Sequence, residues 1–299
     1  MTQTSAALKY NRSSYITQGQ PLIVVPEIFQ LRTDELGRDA VRLMNERFAG
    51  NRFVVLDISS LNRDQPIGYS NPYRRFALGP IVRELYGKDA DGKTVQLLTP
   101  AFSELALKHG TLPDSKDTYE DLAVVVYSTQ GPNAQLAEHL LNQTRGMGEV
   151  KTPIVIYGIQ TVKDDRFPNG LRLYLGDLAV AYHVPILSKN SKNTGKFDAF
   201  DPELVKTGFP SKLGQGGRIL YAAEDGLRGV YRFRDLGLNA VDGVLPDSGE
   251  AGRVSFVKGE AEAPQNLEAA LEAVESEARR LEESIESRKV KALEILGKH

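Results

Sequence analysis

The sequence predicts an α/β protein: a mostly parallel sheet with helices alternating between its strands, followed by a long C-terminal helix. Three observations point there. Short, continuously apolar runs rich in β-branched residues recur along the chain as far as Val257, and amphipathic stretches with capping residues fill most of the gaps between them. The last segment repeats apolar residues at heptad spacing, through Leu267, Leu271, Val274, Ala278, Leu281 and Ile285. Apolar strands separated by helices are expected where crossover helices shield both faces of a parallel sheet. Eight strand candidates match the count of a (β/α)8-like barrel, which this reading favours over an open doubly wound sheet.

The strands are read in order. Leu22 to Val25 is the first, and a helix follows with Thr33 as N-cap, Asp34 and Glu35 in its first turn, and Leu36, Ala40, Leu43, Met44 and Phe48 on one face. Phe53 to Leu56 is the second strand, running into Asp57, and Pro72 to Tyr86 is helical with proline at its start. Val95 to Leu98 is the third, backed by a helix from Ala101 to His109. Leu122 to Tyr127 is the fourth, followed by an amphipathic helix over Pro132 to Thr144; Ile154 to Tyr157 is the fifth. Leu171, Leu173 and Leu175 alternate as in a hairpin excursion, and Ala179 to Leu187 makes the sixth strand. Ser188 to Gly217 is a long polar connection with one short helical stretch, Pro202 to Thr207. Ile219 to Ala222, a helix over Leu227 to Leu236, and Val254 to Val257 complete the set.

Composition bounds the function. The chain has 299 residues, of which 41% are apolar and 25% charged, enough for one α/β domain over 1–263 with an amphipathic helix over 264–299. Thirty-seven basic and 39 acidic residues nearly cancel, and no basic aromatic motif appears, so no nucleic-acid partner is expected. The lack of cysteine removes disulfides and thiolate chemistry, and four histidines are too few for a histidine-rich metal site. No run is long and apolar enough for a signal peptide or a membrane span, which predicts a cytoplasmic protein.

In either α/β topology, ligands bind beyond the carboxyl ends of the strands. The acids there are Glu27, Asp57, Glu224 and Asp225, which a barrel would gather on one rim. Asp57 and Glu27 are the candidate acid and base, with His183 as an imidazole near a strand end; Asp57, Glu224 and Asp225 are the candidate Mg²⁺ ligands. Asp57 stands out within FVVLDI, where burial of an acid is costly unless something binds it. Ser128, Thr129 and Gly131 precede a helix and offer a phosphate cradle, although ordinary capping explains the same residues. Lys189, Lys192 and Lys196 punctuate a loop able to fold over an anion, while Gly214 to Gly217 read as a turn. Arg228 and Arg232, one helical turn apart, could clamp an anion.

Two functions follow. The first is an enzyme acting on a small anionic metabolite, phosphorylated or polyhydroxylated, through strand-end carboxylates with Mg²⁺ as the candidate ion. The alternative is a non-catalytic scaffold that self-associates through residues 267–285.

Overall fold

The protein's structure, a computed structural model, describes residues 27–87, 93–113, 117–145, 151–188, 194–233 and 236–259. Three of its helices begin at a side-chain cap and bury apolar residues. Helix α1 (Glu35–Arg47) buries Ala40, Val41 and Met44, and Asp34 caps it by accepting the Gly37 amide at 2.9 Å. Thr33, the expected cap, instead holds the next loop, donating to the Asn62 carbonyl and accepting the Gln65 amide. Helix α2 (Pro72–Tyr86) has Asn71 as its cap and proline in its first turn. It is buried on nearly every side and packs on α1 and on strands of both sheets. Helices α3 (Pro100–His109) and α4 (Ala134–Arg145) and the short α5 (Glu203–Thr207) complete the set of described α-helices. Among the described residues, no helix is long and apolar enough to cross a membrane.

The strands run in directions that overturn the parallel α/β expectation, in both its barrel and its doubly wound form. Strands β1 (Glu27–Gln30), β2 (Thr94–Leu97) and β11 (Ser255–Gly259) form an antiparallel sheet in the order β1-β11-β2. The larger sheet holds β3 (Tyr119–Val126), β4 (Ile154–Lys163), β5 (Leu171–His183), β6 (Gly195–Phe197), β7 (Arg218–Ala222), β8 (Leu227–Arg232), β9 (Leu238–Asp242) and β10 (Gly252–Arg253). Its order is β5-β4-β3-β8-β9-β7-β6, with β10 beside β3, and only the β7–β9 and β10–β3 pairs are parallel. This path has two free ends, so the sheet is open and not a barrel.

The apolar runs have a physical reason that is independent of strand direction: the centre of the large sheet is clad on both faces. One face places Val124, Val126, Ile154, Ile156 and Leu227 against α2 and α4, and the other places Ala123, Val125, Val155, Val230 and Leu238 against Phe197, Leu204 and Phe209. Two-sided burial makes a strand apolar at every position whichever way its neighbour runs.

Individual elements shift accordingly. Leu227 to Leu236, expected as a helix, begins with β8: Arg228 and Arg232 stand four residues apart, a spacing that places residues on one face of a strand as well as of a helix. Phe53 to Leu56 is a loop and not a strand, because side chains satisfy its backbone. Asn71 donates to the Phe53 carbonyl, Arg74 to those of Val54 and Val55, and Asn45 both donates to and accepts from Leu56. Leu22 to Val25, Lys189, Lys192 and the helix expected over 264–299, with the self-association expected through 267–285, lie outside the described residues.

The β4–β5 hairpin carries a wide irregularity. Tyr157 pairs with Val180 and Ile159 with Leu175, so Gly158 alone faces the four residues Gly176 to Ala179. The bulge reverses the alternation of β4: Ile154 and Ile156 face the α2 side before it, and Ile159 faces that side after it. Gly158 has φ of +69°, and a Cβ there would lie 2.1 Å from the Leu178 carbonyl oxygen. Gly158→Ala is therefore expected to cost about 2–3 kcal/mol in urea unfolding. A loss below ~0.5 kcal/mol would show that the bulge relaxes freely.

Buried ion pairs join the two sheets and their helices. Arg75 of α2 donates to Glu120 of β3 at 3.2 Å and to the Leu98 carbonyl. Glu120 in turn accepts the Ser255 amide and hydroxyl, each at 2.7 Å. Arg218 of β7 meets Glu104 of α3 in a two-pronged pair at 2.5 and 2.6 Å, and Arg232 of β8 donates to Ser103. These contacts fix the start of β3, where the candidate site lies.

Candidate functional site

The residue after Glu120 is also a buried acid. Pairing between β3 and β8 slips after Asp121, so Leu122 is passed over and Ala123 meets Val230. Asp121 pairs with Tyr231, Tyr231 with Asn239, and Asn239 with Tyr221, making one row across β3, β8, β9 and β7. Residues directly opposite on paired strands share a face, so this row looks to one side of the sheet. The same face carries Tyr119, two residues before Asp121, and Phe233, two residues after Tyr231. The Tyr119 and Tyr231 ring centroids are 5.8 Å apart, edge to face, and those of Tyr231 and Phe233 are 5.5 Å apart. Cover runs out along this margin: Phe233 is 42% and Tyr221 37% exposed, whereas Asp121 is 4% exposed.

The wall opposite the row is the entrance to α2 and the loop before β10. Ser70, just ahead of the Asn71 cap, donates its hydroxyl to Asp121 at 2.5 Å, and the Tyr119 hydroxyl donates to the Ser70 carbonyl at 3.0 Å. The Gly249 amide donates back to the Tyr119 oxygen at 2.9 Å. Gly229 leaves room here, since a Cβ on it would lie 3.5 Å from Pro72 and 3.9 Å from Asp242.

Burial shapes the electrostatics of this cluster. Removal from water pushes the Asp121 carboxyl up to about 7, with Glu120 and Asp242 adding repulsion and Ser70 and Arg75 opposing it. Desolvation likewise raises Asp242, and it pushes the Tyr119 and Tyr231 phenols up to about 12, with Asp121 and Asp242 contributing to both. Arg74 and Arg253 stand close by, but their donors go to neutral oxygens, those of Tyr69, Val54, Val55 and Ser248 for Arg74 and of Glu250 and Gly252 for Arg253. The cluster can thus hold a proton on a carboxyl at neutral pH, accept hydrogen bonds from hydroxyl groups, and stack a ring face or hydrocarbon edge on tyrosine and phenylalanine.

The residues singled out by sequence are placed elsewhere. Glu27 is exposed on the smaller sheet and paired across it with Lys258. Asp57 is exposed in the loop after α1, where it accepts the Ser59 amide at 2.8 Å, and that bond lowers its pKa. Desolvation opposes that bond and is the smaller effect. His183 ends β5, with Nδ1 3.0 Å from the Pro153 carbonyl oxygen.

Ser128, Gly131 and Asp225 do come together, because the end of β3 lies beside the start of β8. The Gly226 amide donates to Ser128 at 3.2 Å, and a Cβ on Gly131 would lie 2.5 Å from an Asp225 oxygen. Arg228 donates to that carboxylate at 2.6 Å. An acid therefore stands beside the expected phosphate turn, while Thr129 and Glu224 are exposed at its edge. Among the described residues, no three histidines or acids converge as metal ligands would, so Asp57, Glu224 and Asp225 do not form a ligand set.

One sequence signal marks the cluster. Tyr119, Glu120 and Asp121 directly precede the apolar run LAVVVY, and two acids beginning a buried strand are rare enough to mark. No protein-family model, no curated protein and no solved structure matches the chain.

Proposed function

We propose that the chain binds a small, uncharged, polyhydroxylated molecule along the Tyr119–Tyr231–Phe233 margin and performs proton transfer on it through Asp121. The observation that carries this reading is a nearly buried carboxyl, partnered by one hydroxyl, that titrates near neutrality beside half-exposed aromatic rings. Asp242 supplies a second carboxyl whose environment differs, as acid and base roles require. The ring faces suit the C–H side of a polyol, and carboxylates with Asn239 suit its hydroxyls. The acids nearest the phenols are Asp121, Asp242 and Asp247, which disfavour a phosphorylated ligand and favour the polyhydroxylated branch of the sequence expectation.

The test is a thermal-shift and NMR screen of the full chain against neutral sugars and polyols, with the matching sugar phosphates alongside. Neutral compounds are expected to raise Tm, and Asp121→Asn and Tyr231→Ala to abolish the shift. Shifts from sugar phosphates alone, or unchanged shifts in both variants, would contradict the reading.

A further inference from the structure

A cleft lies toward the other end of α2. Ser70 and Arg83 are separated by about 20 Å of chain at helical rise. At this end α2 presents Gly79, Pro80 and Arg83 to a cleft closed by β2 and by the β4 bulge. Gly79 permits the approach, because a Cβ there would lie 2.7 Å from the Leu97 side chain. The cleft encloses about 40 Å³ of water-accessible space, room for roughly three waters or the head of one small ligand.

Among the described residues, its side-chain donors have no acid partner. Arg83 is half-buried, and no described acid pairs with it; no acid lines the cleft. The Gln96 amide has no partner among the described residues. The Gln160 carbonyl oxygen accepts the Tyr174 hydroxyl, which leaves its NH₂ group to donate. Leu97, Ile159 and Leu178 supply apolar walls. A half-buried cation in a cleft whose lining includes two glutamines and no acid is the complement of an anion. The apolar walls select among anions: a planar carboxylate can turn both oxygens to the donors and its alkyl chain to the leucines, whereas a phosphate would press an unsatisfied oxygen against them.

We infer that this cleft is a binding site for a short-chain carboxylate, held by the Arg83 guanidinium with the amides of Gln96 and Gln160. The site is independent of the Asp121 margin. The experiment is NMR titration of the full chain with butyrate and with inorganic phosphate, on wild type, Arg83→Gln, Arg83→Lys and Asp121→Asn. Butyrate is expected to bind with shifts centred on Leu97, Ile159 and Gln160, and Arg83→Gln to weaken it on the order of tenfold or more. Arg83→Lys should lose less than Arg83→Gln, and Asp121→Asn should bind as wild type does, so failure here is separable from failure of the Asp121 reading. Phosphate binding as tight as butyrate, equal butyrate affinity in wild type and Arg83→Gln, or no butyrate binding to wild type would overturn the inference.

Discussion

Asp121→Asn is expected to stabilise the protein at pH 8 and to leave it nearly unchanged at pH 4. The Asp121 carboxyl rises from an ordinary 3.8 to about 7 on folding. Below pH 3.8 both states hold the proton and the site contributes nothing to the difference. Between about 4 and 7 the folded state keeps a proton that the unfolded chain has released, so stability falls as pH rises and levels off above 7. A shift of this size corresponds to about 4 kcal/mol. Asparagine cannot ionise, so the stability difference between variant and wild type should grow by about that amount from pH 4 to pH 8 in urea unfolding. Subtracting the two profiles removes the other titrations, including Asp164, which Arg166 holds down near about 2, and His139, which burial lowers. A difference that stays flat with pH would mean that Asp121 is ionised in the fold at little cost.

The second large effect concerns Glu104 and Arg218. Both are nearly buried, with side chains 3% and 5% exposed, and Arg218 also lies over the Phe197 ring at 4.8 Å. Glu104→Ala leaves a guanidinium in the interior facing Arg232, whose charge already opposes it. The expected loss is about 3–5 kcal/mol. Glu104→Leu combined with Arg218→Met removes both charges and should recover most of that, because desolvating the pair cost nearly as much as its attraction returned. Denaturant unfolding at pH 7 reads both variants. A double variant as unstable as Glu104→Ala would show that the pair contributes net stability.

What could be read from the sequence follows what local physics decides. The four long helices carry clustered apolar residues, three of them with an N-cap, as with Asn71 before Pro72 or Thr99 before Pro100, and their positions were legible. Strands β3, β4 and β7 were legible as apolar runs. The direction of β3 and β4 was not, because burial on two faces erases the alternation that would mark an antiparallel pair. Arginines four apart in β8 satisfied two periodicities at once, and only its partners β3 and β9 decide between them.

The candidate site was less legible than the fold. Asp57 drew attention as an acid in an apolar run, yet side chains from Asn45, Asn71 and Arg74 hold that run as a loop and leave Asp57 in water. Asp121 shares a row with Tyr231 and Asn239 only through a strand register that spans more than a hundred residues of sequence. Such contacts arise from topology, which local pattern does not encode.

The most direct measurement is the pH titration of the Asp121 carboxyl carbon by NMR in the folded chain, identified by its loss in Asp121→Asn. A midpoint near 7 that moves when a neutral sugar is added is the expected result. A midpoint in the ordinary aspartate range, unmoved by any such ligand, would contradict the assignment of Asp121 as the proton-carrying group.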